Sequence, residues 1–209
     1  MFVQNHMTPN PKTVQPSAPV SEAWELMKLG RFHQLPVIDG NGSLLGIVTD
    51  RDIRSAVGYD TQNHVDLKVE EVMTADTVCV PEDAPVEEAV RMSCRHPFGA
   101  YPVLNGDRLV GIISRSDLLR AFHDLLGLEE AGSRIEIAIP HGATDLASVI
   151  SALTEDDEVL SLVAGRLRTD GVEPVLYIRT RMQNPYQLEK RLRSKGAILL
   201  APEKAKATC

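Results

Sequence analysis

Gly46-Ile47-Val48-Thr49-Asp50-Arg51-Asp52-Ile53 returns 65 residues later as Gly111-Ile112-Ile113-Ser114-Arg115-Ser116-Asp117-Leu118. Each copy carries a glycine, two aliphatic residues suited to a strand, a hydroxyl and, three residues on, a carboxylate. Upstream the correspondence continues at a shift of 66, laying Met7-Thr8 on Met73-Thr74, Pro19-Val20 on Pro85-Val86, Ala23 on Ala89, Phe32 on Phe98 and Pro36-Val37 on Pro102-Val103. The change of shift marks one extra residue in the first copy after Gly40, where a glycine-rich turn tolerates it. A repeat of this length fixes the organisation before any single motif is read.

Each copy predicts the same run of elements. Val20, Ala23, Trp24 and Met27 follow the i, i+3, i+4, i+7 spacing of a helix with one apolar face. Ser17 and Asp83 stand where its N-caps are expected. Leu35-Pro36-Val37-Ile38 reads as a strand, Asp39 to Gly42 as a turn, and Leu44 to Val48 as a second strand buried on both faces. A second helix starts at Thr49, and a short strand around Thr13-Val14 leads in.

This order of motifs resembles the CBS domain family in both copies, over residues 1–57 and 66–123. The resemblance rests on the paired Met-Thr entries, the paired Pro-Val strands and the paired Gly-hydrophobic-x-Thr/Ser-x-x-Asp segments. It implies that the two repeats pack as one pair, since one alone is too small to bury its sheet, and that the pair holds AMP, ADP or ATP as a regulatory ligand.

The chemistry of the repeated segment suits such a ligand. A helix N-terminus carries unpaired N–H groups and partial positive charge that attract phosphate. The hydroxyl of Thr49 or Ser114 adds a donor, and the carboxylate of Asp52 or Asp117 can accept both ribose hydroxyls. Gly46 and Gly111 offer bare backbone. The same Thr49-x-x-Asp52 and Ser114-x-x-Asp117 spacing also fits a helix capping box with Asp in the Glu position, and the two roles are compatible. Arg51 and Arg54, with Arg115 and Arg120 in the second copy, are candidate phosphate partners because guanidinium matches phosphate oxygens. From the family resemblance, adenine would lie near Thr13-Val14 and Val78-Cys79, and near Pro36-Val37 and Pro102-Val103. His33 and His96 receive no catalytic role.

Glu129 to Ser133 breaks the periodicity and reads as a linker. Beyond it, Arg134–Pro140 alternates as a strand, Asp145–Leu153 has helix spacing, and Val159–Leu167 and Pro174–Thr180 are strands joined by a turn at Gly171. Tyr186–Lys195 is a helix ending at Gly196, and Ala197–Leu200 a last strand. The order βαββαβ over residues 134–203 is ferredoxin-like and resembles an ACT domain, a small-molecule sensing module that usually pairs its sheets between chains. Fold class is therefore α/β in the broad sense (α+β). A CBS pair joined to an ACT-like domain resembles the bacterial acetoin-utilisation proteins, which implies a homodimer that signals to a metabolic protein partner in acetoin or acetyl metabolism.

Composition bounds the alternatives. The 209 residues suffice for two modest domains, and 43% apolar with 24% charged residues is ordinary for a globular chain. A net charge of −7 without a basic block argues against nucleic acid. No apolar run nears the roughly 18 residues that span a bilayer, and the start lacks a signal peptide's regions, so a cytoplasmic location without a membrane partner is expected. Cys79, Cys94 and Cys209 fit neither a disulfide framework nor a zinc ribbon, and Cys94-Arg95-His96 lacks a second ligand pair, so no metal is expected. No nucleophile with its base, Walker loop or His-Glu-x-x-His occurs, and Asp156-Asp157 reads as part of a solvated turn. The expectation is a non-enzymatic regulator without a catalytic cofactor. Its rivals are a structural or adaptor scaffold and a small-metabolite sensor acting through the C-terminal domain.

Overall fold

The computed structural model describes residues 1–57, 67–96, 98–168 and 172–200, in two compact units, Met1–Ala121 and Phe122–Cys209, of mixed α/β character. Gly171 and Cys209 lie outside the described residues.

In the first unit a 3₁₀ turn at Val3–Asn5 precedes β1 (Thr8–Pro9), α1 (Val20–Gly30), β2 (Gln34–Ile38), β3 (Leu44–Thr49) and α2 (Asp50–Val57). The second copy follows as α3 (Val69–Val72), β4 (Val80–Pro81), α4 (Val86–Arg95), β5 (Ala100–Asn105), β6 (Arg108–Ser114) and α5 (Arg115–Leu125). One sheet runs β1-β6-β5-β4, and β2 and β3 form an antiparallel pair. That pair is flanked by single bridges, Val14 parallel to Val37 and Thr74 antiparallel to Ile47. The two sheets are thus related position by position: Val14 to Val37 as Val80 to Val103, and Thr74 to Ile47 as Thr8 to Ile112.

These pairings reveal an exchange. The segment opening each copy packs on the other: Thr8 pairs with β6 of the second, Thr74 with β3 of the first. Val3 N–H donates to Ala84 O and Val86 N–H to Met1 O, while Val69 N–H donates to Ala18 O and Val20 N–H to Leu67 O. Val3 and Val69 are both 0% exposed, and Val69 packs in the first copy's core. The glycines make room for this crossing. A Cβ at Gly46 would stand 2.5 Å from Thr74 O, and one at Gly111 would stand 2.2 Å from Met7 Sδ. The bare backbone read as open to a ligand is therefore covered by the exchanged segment.

The apolar stripe of α1 is buried as its spacing predicts, with Val20, Ala23 and Met27 against Leu35, Val37, Val48 and Ile53. The caps differ. Pro19 and Pro85 occupy the N-cap positions without side-chain bonds, because the exchanged segments' carbonyls satisfy the first N–H groups in place of Ser17 and Asp83. Thr13-Val14 forms one bridge rather than a strand, and the second lead-in strand is Val80–Pro81 rather than Val78-Cys79. Leu45 on β3 is exposed, so that strand is buried on both faces only from Gly46 to Val48.

The second unit contains β7 (Ser133–Ala138), α6 (Ala143–Ile150), β8 (Val159–Arg168), β9 (Val172–Thr180), α7 (Tyr186–Ser194) and β10 (Ile198–Leu200). Its antiparallel sheet runs β10-β7-β9-β8, with Ile135, Ile137, Leu176 and Ile178 packed against Val149, Leu188 and Leu192 of the helices. Helix α6 begins two residues before Asp145, whose carboxylate reaches back to accept the His141 N–H at 2.7 Å. Asp157 does not lie in a solvated turn. It is 2% exposed, ion-paired with Arg191, and accepts the Thr154 N–H at 2.7 Å.

Candidate functional site

Both Thr/Ser-x-x-Asp segments sit at a strand-to-helix turn and close on themselves. Thr49 donates its N–H (2.9 Å) and its hydroxyl (2.7 Å) to Asp52 Oδ2, and Asp52 N–H donates to Thr49 Oγ1 at 3.1 Å. Ser114 donates likewise to Asp117 Oδ2 at 2.9 and 2.6 Å, and Asp117 N–H donates to Ser114 Oγ at 3.2 Å. The capping reading is thus satisfied in both copies. It uses one carboxylate oxygen; the other keeps two lone pairs. At Asp117 that Oδ1 has Arg120 at 3.9 Å. A carboxylate fixed by its own helix start can therefore also accept a diol.

Ser114 and Asp117 open onto a cleft of about 600 Å³, within the range of small-molecule sites. It is lined by Thr8, Asn10, Pro11 and Lys12 of the exchanged segment, by Arg31 to Gln34 and Pro36 of the first copy, and by Gly99, Ala100, Ile112, Ser114, Ser116 and Asp117 of the second. Both copies build it. Gln34 also lines this cleft, and its buried Nε2 has no hydrogen-bond partner among the described residues. A second cavity of about 450 Å³ shares Arg31, Phe32 and His33 and adds Trp24, Met27, Lys28, Asp50 and Arg54. There His33 Nδ1 lies 3.3 Å from Asp50 Oδ2, and Arg54 pairs with Asp50.

Of the residues singled out from the sequence, Pro36, Ser114 and Asp117 meet in the large cleft. Val37 and Val103 are fully buried core residues, and Val14 is buried with its N–H donated to Pro36 O at 3.1 Å. Pro102 is buried; Thr13, Val78 and Cys79 are half-buried, and burial pushes the Cys79 thiol up from its ordinary range. Arg51 and Arg115 are exposed, the latter 3.4 Å from Ser93 O. Sequence reasoning missed Lys12, Arg31, His33 and Gln34. No motif in the sequence marks them; in the structure Arg31, not glycine, takes the left-handed position that ends α1 (φ 54°, ψ 38°). A non-glycine residue held there points to function.

A family model described as "CBS domain" matches residues 3–59 and 69–124. A putative acetoin utilization protein (AcuB) from Vibrio cholerae is similar at 32% identity and TM-score 0.56, over 62% of this chain and 95% of that one. CBSX2 of Arabidopsis thaliana, solved in complex with AMP, is 31% identical with TM-score 0.52, over 58% and 95%. The inosine-5'-monophosphate dehydrogenase of Methanocaldococcus jannaschii is 29% identical over 151 residues, 72% of this chain. The chain spans only 29% of that enzyme's length, and the enzymes among its relatives match through their CBS part alone.

Proposed function

The chain belongs to the CBS domain family, and from that premise we propose a non-catalytic regulatory protein whose CBS pair binds an adenine nucleotide, AMP, ADP or ATP. CBS-domain proteins without a catalytic domain are generally regulatory, and CBS pairs bind adenosine ligands. The observation that carries the reading is the cleft built by both repeats, where Asp117 is oriented by its box with one oxygen outside it and Gln34 Nε2 is unpartnered. In this reading Asp117, and Asp52 in the twin position, accept the ribose diol. Thr49 and Ser114 hold those carboxylates, with Arg51 and Arg115 toward the phosphates. The base lies against backbone near Pro36-Val37, Pro102-Val103, Thr13-Val14 and Val78-Cys79.

The repeats span residues 1–57 and 66–123 in this proposal, and a ferredoxin-like, ACT-like domain spans 134–203. Its support is the βαββαβ order with sheet order β10-β7-β9-β8. Likeness to the Vibrio cholerae protein, by its name one of acetoin utilization, supports a role in acetoin or acetyl metabolism; a homodimer acting in the cytoplasm on a metabolic protein partner is part of the same proposal. No helix among the described residues is long and apolar enough to cross a membrane. Calorimetry of the full chain with AMP, ADP and ATP tests the reading. Binding lost in Asp117→Ala supports it, and absence of binding by all three defeats it. The two closed boxes favour one rival, a scaffold in which both carboxylates only cap helices; it predicts no binding.

A further inference from the structure

Resting on the adenine reading, we infer that the two nucleotide positions of the pair are not equivalent: the cleft at Asp117 holds the phosphate-bearing ligand tightly, and its twin at Asp52 holds it weakly. The repeat register decides this. Lys12 and Arg31 line the Asp117 cleft. The register that carries Thr8 onto Thr74 and Val14 onto Val80 carries Lys12 onto Val78 and Arg31 onto Pro97 in the sequence. Both cations are absent from the twin set.

The neutral lining changes in the same direction. Asn10, in the cleft, corresponds to Asp76 in the sequence, so the twin set carries a carboxylate where the cleft has an amide. The cation the twin set gains is Arg51, in the place of Ser116; beside it Asp50 stands in the place of Arg115. Arg95 does not replace Arg31. It corresponds to Leu29, which is 81% exposed on the outer side of its helix.

Two observations support a ligand role for Arg31. It lines both of the cavities described above, and it is kept in the left-handed region where glycine or asparagine normally serves. A guanidinium, an ammonium and the ribose carboxylate lining one cleft give a nucleoside monophosphate partners for its phosphate and for its ribose. Charge-assisted bonds of this kind discriminate by charge as well as shape.

Calorimetry of the full chain with AMP and with adenosine, each titrated alone, tests this. Wild type is expected to bind about one AMP per chain in the tight phase. Lys12→Ala and Arg31→Ala should each weaken AMP by about tenfold or more while changing adenosine less than about twofold, as expected for loss of a charged hydrogen bond. Asp76→Asn with Val78→Lys should raise the tight AMP stoichiometry toward two. Two equal AMP sites in wild type, or equal loss of AMP and adenosine in the Lys12 and Arg31 variants, would overturn the inference and leave the adenine reading standing. Absence of binding by both ligands defeats the adenine reading, and this inference with it.

Discussion

Thr74 and Ile47 exchange both backbone hydrogen bonds, Ile47 N–H to Thr74 O at 3.0 Å and Thr74 N–H to Ile47 O at 2.8 Å, although Thr74 opens the second copy and Ile47 belongs to the first. With Thr8 on Ile112 as the matching contact, each repeat is completed by the other's leading segment. Neither copy has a whole core of its own, which gives a physical reason for them to fold together.

Truncating an exchanged residue should therefore damage the repeat it visits. Val3→Ala removes two buried methyl groups where Val3 meets the second copy at Ala84, and Val69→Ala removes two from the first copy's core. Each should cost about 2 kcal/mol in urea unfolding of the first unit. A cost below about 0.5 kcal/mol for either would show that the segment is not integral to the core.

A saturating adenine ribonucleotide should stabilise the wild type by about 2.7 kcal/mol at a hundredfold excess over Kd, roughly 5–11 °C in Tm. Asp117→Ala should cost about 1 kcal/mol without ligand, for the broken capping box, and should abolish most of the shift. A 2′-deoxy ligand should reproduce that loss in wild type. If the carboxylate only caps, the mutant loses stability and no nucleotide moves either melting curve.

The repeat was legible because period and spacing are local properties: the stripe of Val20, Ala23 and Met27 and the Thr49-x-x-Asp52 box are each set by neighbours within a turn of helix. The exchange was not, since bridges such as Thr8 to Ile112 join residues far apart in the chain. Ser17 and Asp83 illustrate the consequence: both have good capping chemistry, but carbonyls from Leu67 and Met1 already satisfy the helix starts. At the site, the carboxylates carried a motif, whereas Lys12, Arg31 and Gln34 are gathered only by tertiary structure. Val37 and Val103 were read as lining because aliphatic strand residues suit a core and a base equally, and burial assigns their side chains to the core.

Acid should act on the second unit through Asp157. Burial alone would raise its carboxyl, but the bonds from Thr154 and the Arg191 guanidinium outweigh it and hold the group below its ordinary range. A depressed folded pKa contributes stability that is present above the unfolded value, near 3.9, and lost as pH falls through the folded one. Asp157→Asn should flatten the pH dependence of stability below about pH 4. Asp157→Ala should cost about 2–3 kcal/mol at pH 7, less than a fully buried pair because Arg191 is 39% exposed. Trp24, the single tryptophan, lies in the first unit, so its fluorescence serves as the internal control. An unchanged acid profile in Asp157→Asn would refute the assignment.

Arg31 links stability to ligand charge. An L-residue in the left-handed region is less stable there than glycine by about 1 kcal/mol, and Arg31 holds that conformation at the end of α1. Arg31→Gly should therefore raise the Tm of the unliganded chain by roughly 2–4 °C. Arg31→Ala keeps the strained backbone and should bring no such gain, so the pair of variants separates backbone conformation from loss of the side chain. Both should weaken AMP to a similar extent, since both remove the guanidinium from the cleft. A native chain held below its attainable stability at the position that lines both cavities is what selection for binding would leave. Equal melting temperatures for the glycine and alanine variants would show that no strain is stored at Arg31.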